Sequence, residues 1–232
     1  MRMRYDLESG ERHFAEAAPR YDAATRAMSL GRDAAWKRAL VAALPDRAAP
    51  FCVDLACGTG DVAFLLADRY PGGRVVGVDI AEPMLAIARA RNRRGNVSFA
   101  RRDMGSLDFP DGCIDIVTGS YALRNARDVR AVLDETARVL VPGGAAAFLD
   151  FSKPASRPLQ AAQRRVLGAW CGLWGLILHG NPEVHGGYIA RSLDAFPDRA
   201  RLLAVARERG LLPVASRRFF LGITEMIVLR KE

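Results

Sequence analysis

Asp54-Leu55-Ala56-Cys57-Gly58-Thr59-Gly60-Asp61 is the stretch on which the fold turns. It closes a short apolar run, Phe51–Ala56, of the kind that forms a buried strand. Its two glycines let the chain turn sharply and approach a ligand with no β-carbon in the way. Asp61–Tyr70 then sets Val62, Leu65, Leu66 and Tyr70 on one face, which predicts a helix. Strand, glycine turn and helix together open a nucleotide-type α/β sheet, whose ligands sit at the carboxyl ends of the strands.

The pattern repeats outward. Arg74–Ile80 reads as a second strand, and Pro83 suits the first turn of the next helix, which runs to about Asn92. Val97–Arg101 is a third strand, and Ile114–Gly119 a fourth after a Pro110-Asp111-Gly112 turn. Val129–Val141 reads as a helix stopped by Pro142-Gly143-Gly144, and Ala145–Phe151 as a fifth strand. Such alternation predicts an α/β fold with a mostly parallel sheet. Asp33–Leu44 is an expected helix upstream, with Trp36, Leu40 and Leu44 inward. Leu159–Leu178 and Arg199–Arg209 are expected helices downstream, and Leu211–Arg217 and Ile223–Leu229 an antiparallel strand pair at the sheet edge. The expected organisation is one domain, 1–232, with a cofactor core at 46–151. Helical elements at 1–45 and 152–196 cover the substrate, and 197–232 supplies the last helix and strands.

With 232 residues, half of them hydrophobic and 26% charged, the chain is long enough for a large core, which excludes a disordered tail protein. Net charge is +8, and 31 of the 34 basic residues are arginine; this admits an anionic partner without establishing one. Cys52, Cys57, Cys113 and Cys171 include no CxxC pair, so a reduced, intracellular, metal-free protein is expected. Met1–Gly10 has no apolar core, and Asp6, Glu8 and Glu11 argue against a targeting peptide, so the expected location is cytoplasmic. The apolar run Val166–Leu178 is shorter than the ~20 residues of a membrane span.

Three acids follow three successive strands. Asp54 stands before the glycine turn, where a carboxylate repels a pyrophosphate and suits a cation. Asp79, 21 residues after Gly58, can accept both hydroxyls of a ribose. Asp103 can meet the amine of adenine. A positively charged adenosine compound, S-adenosylmethionine, fits this set better than a nicotinamide dinucleotide.

Leu55–Asp61, Gly77–Ile80 with Pro83-Met84-Leu85, and Arg138–Gly144 resemble the motifs of class I methyltransferases. Leu123-Arg124-Asn125, Leu149-Asp150-Phe151-Ser152-Lys153-Pro154, Tyr21-Asp22 with Met28-Ser29-Leu30-Gly31 and Trp36-Lys37, and Tyr188-Ile189 before Phe196-Pro197 narrow the resemblance. These blocks are similar to the UbiE/MenG family of ubiquinone and menaquinone C-methyltransferases. The resemblance implies a Rossmann-like seven-stranded sheet with an antiparallel last strand. It implies cofactor contacts at Thr59, Asp79, Asp103, Met104 and Ser120, which join Asp54, Ala56, Gly58, Gly60, Ile80 and Met84 in the expected site. Cys57, Thr25, Arg191 and the Gly222–Met226 tail depart from the family pattern, and Asp103 stands where asparagine is frequent.

The implied reaction passes a methyl group to a ring carbon of a prenylated quinol and releases S-adenosylhomocysteine. A ring carbon attacks only once an ortho or para hydroxyl loses its proton, help typically worth ~10²–10⁴-fold. Arg124, always protonated, is the first choice to hold the resulting oxyanion. Asn125, Tyr121, Tyr188 and His185 complete the expected catalytic set, with Asp150 and His179 as further candidates. His13 is expected on the surface, Ser152-Lys153 at a strand end, and Arg89, Arg91, Arg93 and Arg94 on a solvated helix end. Val166–Leu178, with Trp170, Trp174 and preceding arginines, suggests a channel for an isoprenoid tail and peripheral contact with anionic membrane. The same segment equally suits a buried lid or a homodimer face. Other readings are a methyltransferase of a soluble aromatic or polyketide metabolite and a non-methylating S-adenosylmethionine-binding protein. Nucleic acid is not an expected partner, because no amino-methylation box or pyrimidine-directed nucleophile is present.

Overall fold

The computed structural model describes residues 7–232, with side chains from Gly10 onward; the reading of residues 1–6 lies outside it. Its elements in chain order are α1 (Leu7–Ala17), α2 (Tyr21–Met28), α3 (Asp33–Ala42), β1 (Phe51–Leu55), α4 (Asp61–Arg69), β2 (Arg74–Asp79), α5 (Glu82–Arg91), β3 (Val97–Arg101), β4 (Ile114–Ser120), α6 (Val129–Val139), β5 (Leu140–Phe151), α7 (Arg157–His179), α8 (Gly186–Ala195), α9 (Arg199–Arg207), β6 (Leu211–Phe219) and β7 (Thr224–Lys231).

The sheet order is β3-β2-β1-β4-β5-β7-β6, parallel from β3 to β5. β7 runs antiparallel to both β5 and β6, so it lies inside the sheet and β6 alone forms that edge. Both faces are covered, which is why the central strands are continuous apolar runs and not alternating ones. On one face β1, β2, β4 and β5 pack Val53, Val76, Val117 and Phe148 against α6 and α9 through Leu133 and Leu203. On the other, Cys52, Ile116 and Leu149 meet Leu40 of α3 and Leu66 of α4.

One boundary departs from expectation. α6 ends at Val139, and β5 begins at Leu140, running through Pro142-Gly143-Gly144 instead of starting at Ala145. Leu140 pairs with Ile114, and the register shifts between Ile114 and Ile116. Proline and glycine here shape an irregular strand start, a position where a ladder tolerates them.

The chain reverses sheet order between β1 and β4, each of which sends its connection to the opposite side. That crevice is the switch point at which open parallel sheets bind ligands. The N-terminal helices α1 and α2 lie across it, and α7 and α8 close the far side.

Candidate active site

The loop after β1 takes its shape from backbone geometry. Gly60, at φ 93°, precedes the first turn of α4, and a β-carbon there would strike the Phe64 ring at 2.9 Å. Two residues with side chains also adopt left-handed angles: Ala56 at φ 47° and Tyr121 at φ 56°. They follow β1 and β4, on the two sides of the switch point, and Tyr121 N–H is held by Leu149 O at 2.6 Å. Such strain collects where a site dictates the backbone.

Two cavities meet there. The first encloses about 710 Å³ and is lined by Ala56, Gly58, Asp79, Ile80, Met84, Asp103, Met104 and Ser120. Asp79 orders it: Oδ2 accepts Gly58 N–H at 2.8 Å and Oδ1 accepts Ala81 N–H at 2.9 Å. Burial pushes its pKa up and these amides oppose the rise. Asp103 Oδ1 likewise accepts Gly105 N–H at 2.9 Å. Ser120 Oγ, in the lining of this cavity, is buried with no partner among the described residues.

Three expected cofactor residues take other positions. Asp54 is 1% exposed beneath the loop and accepts the Thr118 hydroxyl at 2.7 Å. Burial raises its pKa to about 7, so it is a buttress under the site and not the lining charge expected of it. Thr59 points its hydroxyl at Asp22, 2.7 Å away, and with Gly60 lies outside the cavity wall. Asp22 also meets Arg91 at 2.9 Å, and Arg91 reaches Asp61 at 2.9 Å. Arg91 thus ties α2 to the loop; Arg94 pairs with Asp68 at 2.6 Å and Arg89 with Glu82, so that helix end is paired instead of merely solvated.

The second cavity, about 730 Å³, is lined mainly by aromatic and aliphatic groups, among them Phe14, Tyr21, Met28, Trp36, Phe151, Leu167 and Ile223. Phe14, Tyr21 and Tyr121 line both cavities and form their shared wall. Its polar corner holds most of the expected catalytic set. Arg124 lies 3.4 Å from Asp150, both side chains under a tenth exposed. One guanidinium nitrogen donates to Asn125 Oδ1 at 3.0 Å and to Ser192 Oγ at 3.2 Å. The Tyr188 hydroxyl donates to the same Asn125 oxygen at 3.0 Å, and Asn125 donates to Tyr121 O at 2.6 Å. Burial, then the charge of Asp33, keeps the Tyr121 phenol protonated.

His13 is a correction: instead of facing solvent it stacks on Tyr188, centroids 3.7 Å apart and planes 1° from parallel. His185 lies 6.4 Å from it, and His179, outside the cavity lining, 5.0 Å from His185, so the chain's three histidines form one cluster. Burial lowers His13 to about 3 and His185 to about 4, and neighbouring positive charge adds to both shifts. His185 Nε2 is buried without a partner among the described residues. The expected channel helix contributes only Leu167 and Cys171 to the cavity, while Trp170 donates its indole N–H to Met28 O at 2.9 Å. Ser152 donates to Glu225 and Lys153 to Phe196 O, each at 2.8 Å, closing the strand end as expected.

Phe14, Tyr21, Asp22 and Ser192 were not singled out as site residues. Tyr21-Asp22 stood within a motif block, but their role depends on α2 lying over the loop, a long-range contact without local signature. No helix among the described residues is long and apolar enough to cross a membrane.

Comparison with known proteins agrees with this geometry. The model of the ubiE/COQ5 methyltransferase family matches residues 6–228. The demethylmenaquinone methyltransferase of Thermus thermophilus is 39% identical over 199 residues, 85% of this chain and 90% of that protein. The 2-phytyl-1,4-naphtoquinone methyltransferase of Thermosynechococcus vestitus is 34% identical over 220 residues, 94% and 97% of the two chains. Among solved structures, the complex of the Haloferax volcanii Trm112 activator with a methyltransferase matches 94% of this chain and 96% of that one, with TM-score 0.68 at 19% identity. A geranyl diphosphate methyltransferase bound to sinefungin covers 85% of this chain and 78% of its own, with TM-score 0.65 at 14% identity. The likeness to these structures is one of fold alone. On the extent of the family match and the identity to curated relatives, the chain belongs to the ubiE/COQ5 methyltransferase family and is a methyltransferase.

Proposed function

We propose that this enzyme methylates a ring carbon of a prenylated quinol of the demethylmenaquinol type, using S-adenosylmethionine. The observation that carries the reading is the pair of cavities divided by Phe14, Tyr21 and Tyr121: one ordered by acids, the other large, apolar and polar at one corner. The residues fit the cofactor. Asp79 keeps lone pairs for a ribose, Asp103 faces the same space, and the orphaned Ser120 hydroxyl supplies a bond for the amino-acid end. When bound, the cofactor supplies the electrophilic methyl group.

The chain's own task is the acceptor proton. Arg124, oriented by Asn125 and Ser192, is the donor of a corner, shared with Tyr188, in which a deprotonated ring hydroxyl is held at low dielectric. His185, neutral and with Nε2 unpartnered among the described residues, accepts the proton. Tyr121, protonated and on the shared wall, positions the ring against the methyl donor. The quinone substrates for which the relatives are named support a naphthoquinone-type head group, and the aliphatic lining supports a tail.

The test is release of S-adenosylhomocysteine with demethylmenaquinol in detergent, beside a naphthoquinol lacking the tail. Turnover of both, with the prenylated acceptor preferred, is expected. Turnover of the tail-less quinol alone moves the enzyme to a soluble aromatic metabolite. Binding of S-adenosylmethionine without turnover of any quinol removes the reading.

A further inference from the structure

Two turns at the rim of the acceptor cavity expose leucine in a conformation that leucine avoids. Leu30, in the turn between α2 and α3, has φ 53° and is 56% exposed. Leu221, in the turn between β6 and β7, has φ 56° and is fully exposed, after Phe220 at φ 51° and 40% exposed. Branched side chains rarely occupy this left-handed region. A large apolar group left exposed there has a cost in both conformation and hydration.

The turns belong to one surface. Met28 and Ser29 precede Leu30, Phe220 precedes Leu221, and all three line the acceptor cavity with Ile223. Trp36 of α3 bridges them, its ring 5.8 Å from Phe219 and 6.2 Å from Phe220. The exposed charge at the turns and the adjoining strand end is basic. Arg26, Arg32, Arg217 and Arg218 are exposed, and Arg218 approaches Glu225 only to 3.8 Å. The acids beside these turns are buried and paired elsewhere, Asp33 with Lys37 at 2.7 Å and Glu225 with Arg199 at 2.7 Å.

We propose that the Leu30 and Leu221 turns dock the acceptor-cavity mouth on an anionic lipid surface, inserting both leucines while Arg26, Arg32, Arg217 and Arg218 meet lipid phosphates. The inference rests on the reading of a prenylated acceptor, which partitions into bilayer and reaches the cavity without crossing water. It moves membrane contact from the 166–178 segment to the cavity rim. Burial of apolar tips supplies the contact and arginine at the headgroups supplies the choice of anionic lipid.

The experiment is flotation of the full chain with phosphatidylcholine vesicles, with and without phosphatidylglycerol. Asparagine tolerates left-handed angles, so the double variant Leu30→Asn/Leu221→Asn removes the tips while retaining the turns. Wild type is expected to float with phosphatidylglycerol vesicles, less so at high salt. The leucine variant loses at least about tenfold in partition, and Arg32→Glu/Arg217→Glu loses a similar factor. The α7 variant Leu173→Ser/Leu176→Ser floats as wild type. Absence of wild-type flotation overturns the proposal, as does flotation that survives both rim variants or falls only with the α7 variant. None of these substitutions touches the cavity lining, so every variant retains turnover of the tail-less quinol, which reports folding. Turnover without flotation removes the docking site alone; flotation without turnover of any quinol removes the proposed reaction alone.

Discussion

Arg124 carries two demands at once. Its backbone N–H holds Asp150 Oδ2 at 3.0 Å while its guanidinium neutralises the same buried carboxylate and reaches Asn125 and Ser192. Lysine keeps the charge and loses the planar fork, so the oxyanion corner loses directed donors. Arg124→Lys is expected to lower kcat by about 10²-fold while leaving S-adenosylmethionine affinity unchanged, measured by steady-state kinetics beside calorimetry. A comparable fall in cofactor affinity would assign Arg124 to the cofactor side of the wall. The acidic motif was legible residue by residue at Asp79, because an acid at a strand end needs only local geometry. Asp54 was not, because its partner Thr118 lies 64 residues away on β4.

At the scale of elements, α7 and α8 pack through glycine. A β-carbon on Gly186 would lie 2.4 Å from Gly168 O and 2.6 Å from Gly172 Cα, backbone atoms that cannot yield. Gly175 approaches Asn181 O in the same way, at 2.8 Å. Gly168, Gly172 and Gly175 of the apolar run therefore serve close packing, and the tail channel expected of that run is left to one face. Gly186→Ala forces the helices apart and is expected to destabilise the chain by about 1–3 kcal/mol. Denaturant unfolding measures the loss, and weaker quinol binding should accompany it because α8 carries Tyr188. An unchanged midpoint would show that α7 shifts freely.

Across the whole molecule, three segments bring His13, His179 and His185 together, with His13 and His185 lining the acceptor cavity. Groups facing them are cationic: Arg124 and Arg191 act on His13 together with the other two histidines, and His179 acts on His185. An imidazole whose pKa falls from 6.5 to about 3 or 4 on folding binds its proton more weakly in the folded state. The stability it confers is therefore present above pH 6.5 and is lost as pH falls through about 4 toward 3. Hydrogen exchange is expected to show α1 and α8 opening below pH 6.5 while the sheet stays protected, and His13→Phe should reduce that acid sensitivity. Equal opening of sheet and cap would place the acid-labile groups elsewhere.

Periodicity and turn chemistry determined the strands, most helices and the glycine loop, because those signals act over a few residues and a buried parallel strand must be apolar on both faces. Val97–Arg101 appears with the bounds expected of it. The start of β5 escaped because proline and two glycines ordinarily end an element, and only pairing with β4 makes them part of a strand. Only the tertiary structure decided which acid lines a cavity, which arginines are paired, and that His13 stacks on Tyr188. Each of these depends on contacts between residues far apart in the chain, where burial and partner charge, not residue type, set the chemistry.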